Sequence, residues 1–502
     1  MHPIVENTVP TSPVPKVHNH RSLSKVIKEP SEHQVRRSQN TNIILMSLGF
    51  CFVICGLKII GSFGTPLLGS LGAVSVAFIY LGGAVSFIIG PSIIDRLPSA
   101  SFGMKILGPE YGVYILMFVY FIPWLNLTWS LIHGIVASMI WSCETIFLKE
   151  NSTPETAGRK SGTFWGIYMT GSIVGNLFVY YIFSILGYEY QPNATGWLGS
   201  VSYMFASFAL LSFIGCSFFF CFKSIPDQYK PPTAPKTSVK KRFQSIFKSF
   251  IKPRVAIVLP IAIAWGYSLP FVNAMFNRQI DDTKSIGLIT AFLSLIEVIF
   301  SFIFGPIMDK LGLQTAMLLT TISEFIGLII SYPASIYQNW LFYLSIAFLA
   351  IGDTGYQTLL PVIITQYRDE PVANACIRFT ANIAGGIAFL IAPLFIENNA
   401  AKCTEEKFLL EIIICAIIIA FGQIFFWIYK YIYPLSETQE ILLRKKDLSK
   451  ITIKQENSIK SEDGNNDMLS VPEIKGTIEP VEAKITVSND SGSEELKMDR
   501  SA

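Results

Sequence analysis

Gly305-Pro306-Ile307-Met308-Asp309-Lys310-Leu311-Gly312 closes the eighth of twelve long apolar runs that lie between Asn42 and Ile432. A near copy, Gly90-Pro91-Ser92-Ile93-Ile94-Asp95-Arg96-Leu97, closes the second. The two copies divide the chain into two six-run halves, each carrying the same device at the same place. The copies are not identical. The later one has the spacing Gly-x3-Asp-Lys-x-Gly, whereas one extra residue separates Gly90 from Asp95, and Pro98 stands where the closing glycine belongs. Each residue type has a physical use here. Glycine lets two membrane helices approach closely. Aspartate caps a neighbouring helix start and favours its dipole. A cation at the membrane surface meets anionic headgroups. Gly90, Asp95 and Arg96, with Gly305, Asp309, Lys310 and Gly312, therefore read as a pair of conformational latches.

Outward from these loops the composition is that of a membrane protein. Of 502 residues, 51% are hydrophobic and 15% charged, against about 25% charged in soluble domains. A bilayer-spanning helix needs roughly 20 apolar residues. The expected spans are 42–62, 70–91, 101–122, 129–148, 162–183, 202–222, 256–276, 287–308, 315–333, 340–362, 373–395 and 409–432. The fold class is thus all-α membrane protein, with twelve transmembrane helices in two pseudo-symmetric six-helix bundles. Residues 42–222 and 256–432 are the two bundles, joined by a basic linker over 223–255.

Charge placement orients the chain. The linker carries Lys223, Lys230, Lys236, Lys240, Lys241, Arg242, Lys248, Lys252 and Arg254, and other loops on the same side hold Arg96, Lys149, Arg159, Lys160, Lys310 and Arg368. The opposite loops hold only Arg278, Lys284, Lys402 and Lys407. The positive-inside rule then puts the linker and both termini in the cytoplasm. Asn193-Ala194-Thr195 falls on the outer side, where a glycosylation sequon can be used. Residues 1–41 and 433–502 are polar and read as disordered cytoplasmic tails. Within the linker, Lys240 to Lys252 reads as a basic amphipathic helix lying at an anionic leaflet. Nothing in the residues distinguishes a plasma membrane from an endolysosomal one.

The near-neutral net charge of +3 gives no sign of a nucleic-acid partner. No phosphate-cradling Gly-Lys-Ser/Thr motif, nucleophile–base constellation or metal-ligand spacing appears, so neither an enzyme nor a cofactor is expected. What does stand out is charge inside the apolar runs. An ionisable group at the bilayer centre costs from ~2.5 to well over 10 kcal/mol, so each should face a cavity or a partner. The candidates are Lys58, Glu110, Glu144, Glu297, Glu324, Asp353 and Arg378. At ~1.5 Å per residue, Asp353 and Glu297 lie roughly 15 Å from the inner ends of their runs and Arg378 about 8 Å. Lys58 lies in the outer third of the first run, where snorkelling outward competes with an interior role. Glu144 stands near an inner end. Glu324 reads as a packing or hydrogen-bonding residue, Glu110 after Pro109 as the mark of a helix break, and His133 as a satisfied core histidine. Gly171-Ser172-Ile173-Val174-Gly175 reads as a small-xxx-small packing face.

Longer stretches carry a resemblance. Ile140-Trp141-Ser142-Cys143-Glu144-Thr145, Lys149-Glu150-Asn151-Ser152, Gly158-Arg159-Lys160-Ser161-Gly162-Thr163-Phe164-Trp165 and Gly175-Asn176 resemble the fourth-to-fifth-span region of the uncoordinated-93-like family of the major facilitator superfamily. Ile351-Gly352-Asp353, Thr358, Tyr367-Arg368-Asp369-Glu370-Pro371 and Arg378-Phe379 resemble its tenth-to-eleventh-span region. The Gly305–Gly312 loop is similar to the superfamily's loop signature. The likeness is greatest to the subgroup called major facilitator superfamily domain-containing protein 11, and it covers residues 42–432. Glu144, Gln357, Leu359 and Arg378 depart from the family's usual residues.

The resemblance implies the major facilitator fold, with Asp353 facing a central path; the depths estimated above put Arg378 within reach of Asp353 as a buried pair. It implies two classes of function. One is a secondary transporter of a small solute by alternating access, with proton coupling through a membrane carboxylate as an option; internal repeats are a mark of such folds. Its partners are the lipid bilayer and an unknown solute, and its substrate or coupling-ion candidates are Asp353, Arg378, Glu297, Glu144 and Lys58. The alternative is a non-transporting regulatory subunit of a potassium channel or another membrane protein.

Overall fold

A computed structural model describes residues 31–153, 156–187, 195–229, 239–338, 340–364, 367, 370–395 and 402–433. Asn193, Arg368, Asp369, the two tails before 31 and after 433, and the side chain of Asp309 lie outside the described residues.

The chain runs through α1 (Glu32–Leu68), α2 (Ser70–Ile94), α3 (Ala100–Leu116), α4 (Pro123–Glu150), α5 (Ala157–Leu186) and α6 (Ser200–Phe220). The linker contributes α7 (Val239–Phe250), and α8 (Pro253–Ala256) leads into α9 (Leu259–Phe271). Then follow α10 (Thr283–Tyr337), α11 (Leu341–Ile364), α12 (Glu370–Phe395) and α13 (Glu405–Ile432). Among the described residues eleven helical segments are long and apolar enough to cross a membrane, and α10 supplies two of them, Thr283–Met308 and Lys310–Tyr337. The twelfth crossing is α3, whose 17 residues are at the short limit for a span of about 17–25. It ends early because the chain turns at Met117 to form β1 (Tyr120–Phe121), which pairs antiparallel with β2 (Gly196–Trp197). The result is two six-helix halves of the major facilitator type. We call the face that bears the start of α1, the end of α13 and α7 the terminal face.

One expected boundary is corrected. Residues 32–41 are helix, not tail: α1 starts at Glu32 behind a capping box, in which Ser31 Oγ accepts from Gln34 N–H at 3.3 Å and Gln34 Oε1 accepts from Ser31 N–H at 3.1 Å. Hydropathy misses this because the polar turn is held by side chains rather than by lipid. Asn42 Nδ2 donates to Asn151 Oδ1 and to the Lys223 carbonyl, while Lys160 Nζ donates to the Asn151 carbonyl and to Gln39. This polar collar joins the terminal-face ends of α1, α4, α5 and α6. At the other half, Arg254 lies over the rings of Tyr367 and Tyr433, each 5.3 Å away.

Glycines set the closest helix crossings. A Cβ on Gly134 would strike the Ile79 carbonyl, and one on Gly82 the Leu131 carbonyl, so α2 and α4 touch backbone to backbone. On α5, Gly171 faces the Cys51 carbonyl and Gly175 faces Cys55, as the small-xxx-small stripe requires. The halves meet away from the terminal face. Asn277 donates to the Ser62 carbonyl, Arg278 to the Thr65 carbonyl, and Ser172 and Ser294 share a hydrogen bond of 2.8 Å. Beside them the ring of Tyr80 on α2 packs on Phe389 of α12.

Candidate functional site

At mid-depth, helices from both halves converge with their charged residues. Glu297 on α10 and Asp353 on α11 are buried, at 2% and 3% exposure. Their carboxyl groups are near neighbours. Neither Glu297 oxygen has a donor among the described residues, and neither has Asp353 Oδ1. Two bare carboxylates side by side repel each other. Asp353 Oδ2 is held by Gln357 Nε2, one helical turn further along α11.

Lys58 of α1 supplies the cation. It lies in the electrostatic field of Glu297, Asp353, Tyr80 and Tyr168, yet among the described residues no contact brings it to ion-pair distance of a carboxylate. Its expected outward snorkelling is not seen. The reason is that α1 continues ten residues beyond Lys58 to Leu68, so about 15 Å of helix separates it from the surface. It takes part in the interior instead.

The expected Asp353–Arg378 pair does not form. Arg378 on α12 lies over the ring of Trp265, with its guanidinium carbon 4.8 Å from the centroid, and the Trp265 indole in turn reaches toward Asp353. Helix α9 packs on α12 and brings Trp265 between α11 and α12, so the indole occupies the place where an ion pair would close. A cation over an indole face is worth ~0.5–2 kcal/mol, the larger figure when desolvated.

Glu144 is buried on α4 and accepts from its neighbour Thr145 at 3.1 Å. It does not join the central carboxyls directly. Tyr168 of α5 lies in the electrostatic field of Lys58, Glu297 and Glu144. The tyrosine is fixed by Trp141, Phe164 and Trp165, whose rings pack on it at 5.3–5.9 Å. Tyr168 and Lys58 belong to one half and Glu297 to the other, so the electrostatic neighbourhood crosses between the halves.

The remaining charges are spoken for elsewhere. Glu324 accepts from Ser268 Oγ at 2.7 Å, a packing role between α10 and α9 as expected. Glu110 corrects its reading: α3 continues through Pro109, and Glu110 pairs with His133 Nδ1 at 2.8 Å. The imidazole is buried and stacked on Tyr114 at 4.2 Å. Glu411, which accepts from Tyr267 at 2.7 Å inside the second half, escaped the sequence reading. It stands only two residues inside the expected last span, and a charge count extended past Lys407 would have found it. Tyr80 and Tyr168 were missed because tyrosine in an apolar run carries no signal of its own.

The latch residues divide. Asp95 makes an ion pair of 2.9 Å with Arg242 of α7, while the start of α3 is capped by Ser99 instead. Arg96 and Lys310 are exposed. Gly90 packs on Met139 of α4, but a Cβ on Gly305 would meet nothing within 4 Å, so no close helix approach occurs there. Gly312 is needed for its backbone: φ is 86° and ψ 165°, a region that side chains avoid. It turns the first arm of α10 into the second.

Comparison with known proteins agrees with this architecture. The family model described as "Ion channel regulatory protein UNC-93" matches residues 69–426. The UNC93-like protein MFSD11 of Xenopus laevis is 24% identical over 409 residues, covering 69% of this chain and 88% of that protein. Among solved structures, the nucleoside transporter NupG superposes with a TM-score of 0.59 at 14% identity, covering 78% of this chain and 99% of that one. The xylose transporter XylE from E. coli, in a partially occluded inward open conformation, gives 0.57 at 13% identity, covering 78% and 96%. At such identities the likeness to solved structures concerns the fold.

Proposed function

This chain belongs to the UNC-93 family, and from that premise we propose that it is a secondary transporter that moves a small polar solute by alternating access, with a proton carried on the Glu297–Asp353 pair. One observation carries the reading: Lys58 from one half lies in the field of the Glu297 and Asp353 carboxyls from the other, and among the described residues only Asp353 Oδ2 of their four oxygens has a donor. Charge in that position is retained where it faces a pathway or a relay. Lys58 and a proton are alternative neutralisers of the pair. When the halves rock, the distance between α1 and the α10–α11 carboxyls changes. A proton then binds as the lysine withdraws and leaves as it returns. Trp265, Arg378, Tyr80 and Gln357 surround this centre and supply stacking and hydrogen bonds for a solute. The terminal face lies in the cytoplasm, as its lysines and arginines favour.

The test is uptake by purified protein in liposomes across a panel of small polar solutes, with and without an inward proton gradient. Gradient-driven uptake should be lost in Glu297→Gln, while exchange of solute without net proton movement should persist. Uptake indifferent to the gradient in both proteins would overturn the coupling.

A second reading is favoured by the description of the matching family model, which names ion channel regulation. In that case the same rocking fold biases a partner channel. Co-expression with a potassium channel separates the readings. A changed current with no flux of any solute would favour the regulator.

A further inference from the structure

Helix α7 has three faces, and the third has no partner in the bundle. Toward the protein it buries Ile246 and Ser249. It ties to both halves at once. Arg242 pairs with Asp95 at the end of α2. On α12, Phe250 packs against Phe379 at 5.5 Å, and Cys376 Sγ donates to the Ile246 carbonyl at 3.5 Å. At about 100° per residue, Phe243, Phe247 and Ile251 fall within about 80° of one another on a neighbouring face. These three are exposed, Ile251 to 80%. Lys241 and Lys248 fall together on the third face, Lys252 follows just beyond the end of α7, and all three are exposed. Between α7 and α12 runs a groove of about 500 Å³, lined by Phe247, Lys248, Phe250, Ile251 and Phe379. Four of these five side chains are apolar, and the fifth is a cation at the rim.

We propose that this groove seats one anionic phospholipid of the leaflet at the terminal face, its acyl chain along Phe247, Phe250, Ile251 and Phe379 and its phosphate against Lys248 with Lys252 and Lys241 nearby. The chemistry of the groove selects this occupant. An apolar trough at a membrane boundary takes hydrocarbon, and an amphipathic helix rich in lysine on its polar face favours anionic headgroups. A free phosphate would gain nothing from the trough, and a neutral lipid nothing from the lysines. Because α7 is anchored to α2 and to α12, the bound lipid completes a strap across the two halves. The inference concerns a site apart from the central carboxyls, and its test needs no transport.

The experiment is native mass spectrometry of the full chain, purified from nanodiscs of mixed phosphatidylcholine and phosphatidylserine. The wild type should retain one phosphatidylserine after delipidation that strips phosphatidylcholine. Phe247→Gln/Ile251→Gln and Lys248→Gln should each lower that retention at least fivefold. These side chains are exposed, so the variants should melt as the wild type does; Lys402→Gln on the opposite face is the control for charge alone. Equal retention of both lipids, or a phosphatidylserine adduct untouched by all three groove substitutions, would overturn the site. Binding of inorganic phosphate in place of the lipid would do the same. Loss of the adduct in Lys402→Gln would reduce it to general surface charge and also refute it.

Discussion

Helix α5 offers a comparison in which one substitution, made twice on the same helix, should act in opposite directions. A Cβ on Gly171 would collide with the Cys51 carbonyl and stand 3.0 Å from both its carbon and its Sγ. The obstacle is backbone, which cannot rotate aside. Helix α5 must then move off α1, toward α10, to which Ser172 is bonded through Ser294. Forcing a methyl into such a packed crossing costs about 1–3 kcal/mol. At Gly166, five residues earlier, a Cβ would meet nothing within 4 Å. There alanine brings only its helix propensity, a gain of about 0.5–1 kcal/mol over glycine. Both variants receive that gain, so it cancels in the difference. The gap between them is the crossing term alone, about 1–3 kcal/mol. Thermal unfolding followed by size-exclusion retention in detergent reads it directly. Gly171→Ala should melt below the wild type and Gly166→Ala at or above it. If the two variants melt together, the α1–α5 crossing is not as close as described, and the argument from glycine packing fails.

Removing the central cation should expose the carboxyl pair. Lys58 reaches no carboxylate at ion-pair distance, so Lys58→Gln is expected to lower stability by only about 1 kcal/mol through the lost long-range attraction, and adding Glu297→Gln should restore most of the loss in the same melting assay. The Asp95–Arg242 contact is partly solvated, so Asp95→Asn and Arg242→Gln should each cost no more than about 1 kcal/mol, and the double variant should cost no more than either alone. Cys403 lies beyond the helices on the face opposite the terminal one, and burial pushes its thiol up to about 11. Since the thiolate is the reactive form, only about a thousandth of it is available at pH 8. Maleimide should therefore label exposed Cys221 well before Cys403, and labelling of Cys403 should accelerate as pH rises toward 11.

The architecture was legible because its signals are local. A run of apolar residues near 20 long admits few structures in water or lipid, and the paired loops at Asp95 and Asp309 marked the two halves. Glu297 and Asp353 were legible for the same reason: a carboxylate in hydrocarbon demands an explanation. Their partners were not. Whether Arg378 reaches Asp353 depends on which helix lies between, and that is a property of packing, not of spacing along α11 or α12. Trp265 interposes; as a tryptophan in an apolar run it could line a cavity or pack in the core, and its sequence does not say which helices it separates. Glu110 misled because Pro109 next to it suggested a break; the helix instead absorbs the proline, and His133 on α4 supplies the partner. The motif glycines also separated into different physical cases. Gly312 is held by its torsion angle, whereas Gly305 has open space beside it. One letter in a pattern stood for two reasons.

The indole between Arg378 and Asp353 bears on speed. Tearing apart a buried ion pair costs about 3–5 kcal/mol, which as a barrier would slow a step by roughly 10²- to 10³-fold or more. An aromatic plate lets opposite charges attract through it without locking. Helices α11 and α12 can then slide past each other by letting a cation drift across a ring face, a graded motion with no bond to snap. In the proposed transport cycle, such an arrangement would keep the electrostatic bias without a bond to break at each turn.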